Sequence, residues 1–278
     1  MYADDMKIFE RVPTNLGYEA LQSSLNNIGD WCRANGMELN ATKCVVLSYK
    51  RGANTFTNEY YLNSTLLRRV DKVKDLGVIM SPSLSPQEHI LQIIAQELTR
   101  YWGSYLDPRN ISTHHTLLSS CISLWFSPVL EYGSVIWSPY QFNHIAQLQG
   151  VQERFIRMLG SRLGFTYRTT PISEVEVESQ FNLLPLHRRR QLTDLVTLFK
   201  LVNGLLDCPG LLSGIDFSIS RGTRSMTIFR RRYHPTYYAY HSGLSRLLRT
   251  GGDAAPHVDF FNETVASFKR KVASLVNN

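Results

Sequence analysis

The sequence predicts an α+β fold that is mostly α. Three observations carry this expectation. Residues 1–80 alternate short apolar runs with one helical stretch, and from Pro86 apolar residues recur at helical spacing. Across 211–250 that period gives way to Gly, Ser, Arg and Tyr. The chain therefore divides into segments 1–81, 82–210 and 211–278.

In the first segment Met6, Ile8 and Val12 read as a short strand leaving a tight turn. Asn15 opens a helix with Leu16, Leu21, Leu25, Ile28, Trp31 and Cys32 on one face. Asn35-Gly36 stops it, because these residues tolerate the left-handed conformation at a helix end. Cys44 to Leu47 is a strand that Lys43 opens, and Tyr60 to Leu62 and Val70 to Met80 are two further strand-like pieces forming a hairpin.

The second segment reads as a bundle over residues 86–208. Ile90, Ile94, Leu98, Tyr101 and Tyr105 make one stripe, with Pro86 in the first turn of that helix. Leu117, Leu118, Cys121, Ile122 and Trp125 make another, ended by Pro128. Ile145, Leu148, Val151, Phe155, Ile156 and Leu159 follow, ended by Gly160. Ser173 and Glu176 form a capping box for a short helix. A long helix from Pro185 turns Leu192, Leu195, Val196, Phe199, Val202 and Leu206 inward until Pro209-Gly210. Such stripes are core faces. The third segment is expected to be irregular before a final helix that carries Phe261, Val265, Phe268, Val272 and Val276 inward.

Composition narrows the function classes. A hydrophobic content of 43% with 13 Phe, 14 Tyr and 4 Trp supports a real core and excludes a disordered chain. The net charge of +7 is uneven. Residues 1–150 carry 12 Lys+Arg against 13 Asp+Glu, whereas residues 151–278 carry 18 against 10. Arg outnumbers Lys by 15 to 3 in the second part, and its planar fork suits phosphate. A polyanionic partner met by that part is expected.

Cys32, Cys44, Cys121 and Cys208 show no zinc spacing, so free thiols in a reducing compartment are expected. No apolar run reaches the ~18 residues of a membrane span, and no secretory signal follows Met1. The expected location is intracellular, cytoplasmic or nuclear, with no membrane partner.

Two stretches carry chemistry. Adjacent carboxylates at Asp4 and Asp5 repel each other as anions, and a divalent cation relieves that repulsion. Mg²⁺ (or Mn²⁺) takes one or two protein carboxylates and fills its remaining positions with water and phosphate. From the dipeptide alone the pair reads first as a solvated acidic end. Arg221, Arg224 and Arg230-Arg231-Arg232 are followed by Tyr233, Tyr237, Tyr238 and Tyr240. Arginines beside aromatics combine phosphate contacts with base stacking, about 1–3 kcal/mol per stacked base. A solvated loop with a few packed tyrosines is the alternative. Arg188, Arg189 and Arg190 open a helix and are either further phosphate contacts or a solvated face.

The order of these features resembles the reverse transcriptases of non-LTR retrotransposons, the jockey-like group in particular. Tyr2-Ala3-Asp4-Asp5 resembles their Y/F-x-D-D box. Trp31 to Met37 with Leu39-Asn40 and Lys43 is similar to their W…N…L-N…K segment, and Leu76-Gly77-Val78 to their L-G-V box. Pro128 to Gly133 and Trp137-Ser138-Pro139 are similar to the P-x-L-x-Y-G…W-x-P stretch. Val151-Gln152 to Phe155 and Leu184 to Arg190 continue the likeness to about residue 270.

The resemblance implies a partial polymerase palm over 1–81, a helical thumb and connection over 82–210, and two-metal nucleotidyl transfer with Mg²⁺ or Mn²⁺. Asp4 and Asp5 would be metal-binding carboxylates, with Tyr2 and Ala3 shaping the floor under the primer end. Lys43 would assist the departing pyrophosphate of the dNTP; from its residues alone it is a strand-edge lysine. Leu76-Gly77-Val78 would belong to the primer-grip region. The partners implied are an RNA template and a DNA primer, held as a hybrid by phosphates without reading sequence. In such enzymes the fingers and a first catalytic Asp precede the Y-x-D-D box, and here only Met1 does. The chain is therefore expected to be the C-terminal part of a polymerase, inactive by itself. A non-catalytic helical nucleic-acid-binding module is the alternative.

Overall fold

The computed structural model describes residues 6–12, 15–50, 58–103, 127–162, 184–218 and 228–277. These are mixed α and β, mostly helical, and none of their helices is long and apolar enough to cross a membrane. They fall into two compact units, Met1–Glu88 and His89–Asn278.

The first unit is built on helix α1 (Asn15–Ala34). Tyr18, Leu21 and Leu25 recur at helical spacing and pack against buried Tyr60, Leu62 and Leu67. Cys32 is buried, whereas Trp31, expected on the same face, is 56% exposed. One residue is a 100° step around the helix, so the two neighbours cannot share a narrow face. The helix ends as expected at Asn35-Gly36. Gly36 has φ 68°, the Met37 amide donates to the Cys32 carbonyl at 2.8 Å, and the Gly36 amide to that of Arg33 at 3.2 Å. Both bonds belong to the Schellman cap.

Among the described residues the strands are short and form three separate pairs rather than one thin sheet. β1 (Val45–Val46) runs parallel to β4 (Arg68–Arg69). β2 (Tyr61–Leu62) pairs antiparallel with β3 (Thr65–Leu66), and β5 (Val73–Asp75) with β6 (Val78–Met80). Val70 to Met80 is thus a hairpin in its own right, not one strand of a larger one. Its turn is Leu76-Gly77, with φ 44° and 88°, and Asn63-Ser64 closes the other hairpin with φ 49° and 63°. Positive φ at both central residues is what a type I′ turn requires. The Gln22 side-chain amide holds β2 on α1, donating to the Tyr61 carbonyl at 2.8 Å and accepting from the Tyr61 amide at 3.0 Å. Residues 6–12, expected as a strand, lie in no ladder. An extended segment becomes a strand only where its backbone finds a neighbour.

The second unit contains α2 (Gln87–Gly103), α3 (Ser127–Glu131), α4 (Ser134–Trp137), α5 (Phe142–Arg162), α6 (Leu186–Val202), α7 (Pro209–Leu212), α8 (Tyr237–Tyr240), α9 (Gly243–Ala254) and α10 (Val265–Asn277). Its core is organised around α6. Leu195, Leu198, Phe199 and Leu201 join Phe229, Leu247, Leu248, Phe260, Phe268 and Val272 in one buried cluster. Phe199 stacks on Phe268 at 4.3 Å between centroids, which docks α10 on α6. The segment after residue 211 thus contributes to the same core as the helices before it.

Several boundaries differ from expectation. Pro128 lies within α3, and the helix it was expected to end lies outside the described residues. Helix α5 runs through Gly160 to Arg162, since one glycine costs only about 1 kcal/mol. Helix α6 stops at Val202, not at Pro209-Gly210. Gly204 has φ 65° and the Leu205 amide donates to the Lys200 carbonyl at 2.8 Å, a second Schellman cap. Leu206 is consequently exposed, as is Phe261, which precedes α10. In α2 the buried row is Ile90, Ile93 and Glu97, with Ile94 only half-buried. The helices expected over Leu117–Trp125 and at Ser173–Glu176 lie outside the described residues.

Candidate nucleic-acid interface

Tyr2, Ala3, Asp4 and Asp5, and likewise Arg221 and Arg224, lie outside the described residues. Among the described residues no three His, Cys, Asp or Glu side chains gather as a metal ion would need.

Lys43 is exposed in the turn before β1, its amide donating to the Asn40 carbonyl at 3.1 Å. Leu76 and Gly77 form the tip of the β5–β6 hairpin, and Val78, 5% exposed, anchors β6. Gly77 takes its place in the turn through its positive φ.

The Arg188-Arg189-Arg190 run is neither a solvated face nor a set of exposed phosphate contacts. Arg188 donates to the Val276 carbonyl of α10 at 2.6 Å. Arg189 pairs with Glu131 at 2.6 Å and donates to Gln152 at 2.7 Å. Arg190 is buried, and burial pushes its guanidinium down to about 10. One turn further along, buried Asp194 accepts Arg246 Nε at 2.7 Å. Burial raises the Asp194 carboxyl, against the pull of Arg246 and Arg190. These arginines fasten helices together.

Arg230, Arg231 and Arg232 stay at the surface. They follow buried Phe229, whose bridge to Phe217 fixes the backbone there. Arg232 grips Asp216 with two bonds, Nε to Oδ2 at 2.6 Å and one terminal nitrogen to Oδ1 at 2.9 Å, which holds the Asp216 carboxyl below its usual range. Arg231 pairs with Asp253 of α9. Arg249, also on α9, lies 3.9 Å from the Tyr240 ring centroid and donates to the Tyr240 carbonyl. Between these groups is a cleft of about 70 Å³, lined by Arg231, Arg232, Arg249, Tyr240, His234 and Ser245.

Aromatic rings continue the surface beyond the cleft. Thr236 caps α8 by accepting from the Ala239 amide at 3.2 Å. Tyr140 stacks on His241 at 4.4 Å and 13°, and Tyr237 and Tyr240 meet the same imidazole edge-on at 4.4 and 4.9 Å. Tyr233 and Tyr237 are 89% and 68% exposed. Sequence reasoning missed Arg249, His234 and Ser245. The signal for Arg249 was its place one turn beyond Arg246 on a helix that Gly251-Gly252 disguised.

No protein-family model, curated protein or solved structure matches the chain.

Proposed function

We propose that this chain binds nucleic acid in the service of RNA-directed DNA synthesis, corresponding to the region of a non-LTR reverse transcriptase from the Y-x-D-D box onward. In this reading the first unit contributes to the palm, and the second holds the RNA template and DNA primer. The observation that carries it is the gathering of Arg231, Arg232 and Arg249 around one cleft beside Tyr240, in the basic part of the chain. The ordered sequence boxes supply the polymerase context, with Asp4 and Asp5 as ligands of Mg²⁺ or Mn²⁺ and Lys43 toward the pyrophosphate of dNTP.

Titrating the chain into a fluorescent RNA–DNA hybrid at increasing salt tests the reading. Affinity is expected to fall linearly in log–log form, because neutralised phosphates release counterions. Absent or salt-independent binding overturns it. The same face also supports a second reading, a non-catalytic nucleic-acid-binding module, since the cleft needs no carboxylate pair. Mn²⁺ relaxation of nearby protons separates the two. The polymerase reading expects a Mn²⁺ effect around residues 2–6 that Asp4→Asn with Asp5→Asn abolishes, and the module reading expects none.

A further inference from the structure

We infer that the α8–α9 face takes an unpaired nucleic-acid strand, with one phosphate in the Arg231–Arg232–Arg249 cleft and neighbouring bases on Tyr233 and Tyr237. This rests on the nucleic-acid reading above and specifies the form of the ligand.

The cleft fits the phosphate. Three guanidiniums, Arg231, Arg232 and Arg249, line this cleft of about 70 Å³, and their planar forks suit phosphate oxygens. Its three guanidiniums keep donors in reserve. Arg232 spends Nε and one terminal nitrogen on Asp216, and Arg231 one terminal nitrogen on Asp253. Each arginine has five N–H donors. The two carboxylates hold the guanidiniums in place without cancelling three positive charges, and exposed Arg230 adds a fourth nearby.

The rings fit the bases. Tyr237 is braced edge-on by Tyr140 at 5.4 Å and by His241, so its ring is held while 68% exposed. Tyr233 lies one residue beyond Arg232 and is nearly fully exposed. A base can lie on such a ring only if its own face is uncovered. In a duplex both faces of each base are covered by its neighbours, so aromatic platforms select single strands.

The test uses the full chain and fluorescence anisotropy, with a labelled single-stranded oligouridine and a blunt RNA–DNA hybrid of the same length. Tyr233→Ala with Tyr237→Ala is expected to weaken single-strand binding by about 5- to 150-fold per stacked base lost, leaving hybrid binding within about twofold. Tyr233 is nearly fully exposed and Tyr237 gives up only edge-on contacts with Tyr140 and His241, so this variant keeps the fold, checked by an unchanged circular dichroism spectrum. Arg231→Gln with Arg232→Gln is expected to flatten the single-strand salt slope by about one. Single-strand binding unaffected by the tyrosine change overturns the inference. So does equal competition by a phosphoserine peptide, which would make the cleft a general anion site. Salt-dependent hybrid binding with no single-strand binding overturns this inference and spares the reading it rests on; binding to neither overturns both.

Discussion

Arg246 of α9 grips Asp194 of α6 with two bonds, Nε to Oδ2 at 2.7 Å and one terminal nitrogen to Oδ1 at 3.3 Å. The same terminal nitrogen donates to the Val135 carbonyl of α4 at 2.6 Å, so one guanidinium joins three helices. Asp194 is 2% exposed. Removing the arginine strands a buried carboxylate, and such losses cost about 3–5 kcal/mol. Arg246→Met should therefore lower the urea midpoint by that equivalent. Adding Asp194→Leu should restore most of it, because an apolar pair avoids desolvating two charges. A loss under about 1 kcal/mol for Arg246→Met would show the pair to be incidental.

Gly251 lies where α9 meets α6. A Cβ placed there would sit 2.3 Å from Leu198 Cδ2 and 3.1 Å from Phe229 Cε2. Both neighbours are at most 1% exposed and have little room to move. Gly251→Ala should destabilise by about 1–3 kcal/mol through overpacking, despite alanine's better helix propensity. Thermal melts of Gly251→Ala and of Gly252→Ala, whose Cβ would come no closer than 3.8 Å to Arg231, check this directly. Equal effects at the two sites would refute the packing argument.

Leu76 holds φ 44° at the first central position of the β5–β6 turn and is half exposed. Leucine carries a steric cost there that asparagine and glycine largely avoid. Leu76→Asn should stabilise the protein by up to about 1 kcal/mol, read as a rise in melting temperature. A fall would mean that the exposed side chain contributes more than the turn strain removes.

The helices were legible where apolar residues kept a 3.6-residue period and a glycine followed, as at α1 with Gly36. The end of α6 was hidden because Leu205 and Leu206 extend the pattern past the cap that Gly204 imposes. Helix α9 was obscured by Gly251-Gly252, although Leu244, Leu247, Leu248 and Gly251 keep the i, i+3, i+4, i+7 spacing of a packed face. The Arg188–Arg190 run read as surface because charge usually means solvent. Yet Leu186, Arg190, Asp194 and Leu198 lie four residues apart in one buried row. A charged pair on an apolar stripe was the available sign of an internal ion network. The surface arginines at 230–232 and their tyrosines were legible from composition. Their closure around a cleft was not, because it depends on Arg249 arriving from α9.

His241 sets a pH dependence. Its imidazole is half-buried in a ring of tyrosines, with Nε2 buried and without a hydrogen-bond partner among the described residues. Burial, then Arg249 and Arg246, lower its pKa from the ordinary 6.5. In the unfolded chain the imidazole takes its proton near 6.5, whereas the folded protein holds it neutral to lower pH. Between the two values the unfolded state binds more protons, so stability falls as pH drops below about 6.5. His187, exposed but partly desolvated, adds a slope of the same sign, with Arg188 and Arg190 lowering it further. Asp216, Asp259 and Glu263 have lowered pKa values, so their contributions are lost only in the carboxylate range below about 4.5. His241→Phe preserves the stack on Tyr140 and removes one titrating group. Urea unfolding at pH 7 and pH 5 should show a smaller loss for this variant than for the wild type, with the His187 portion retained. An identical loss in both proteins would mean that His241 is already solvated enough to titrate normally.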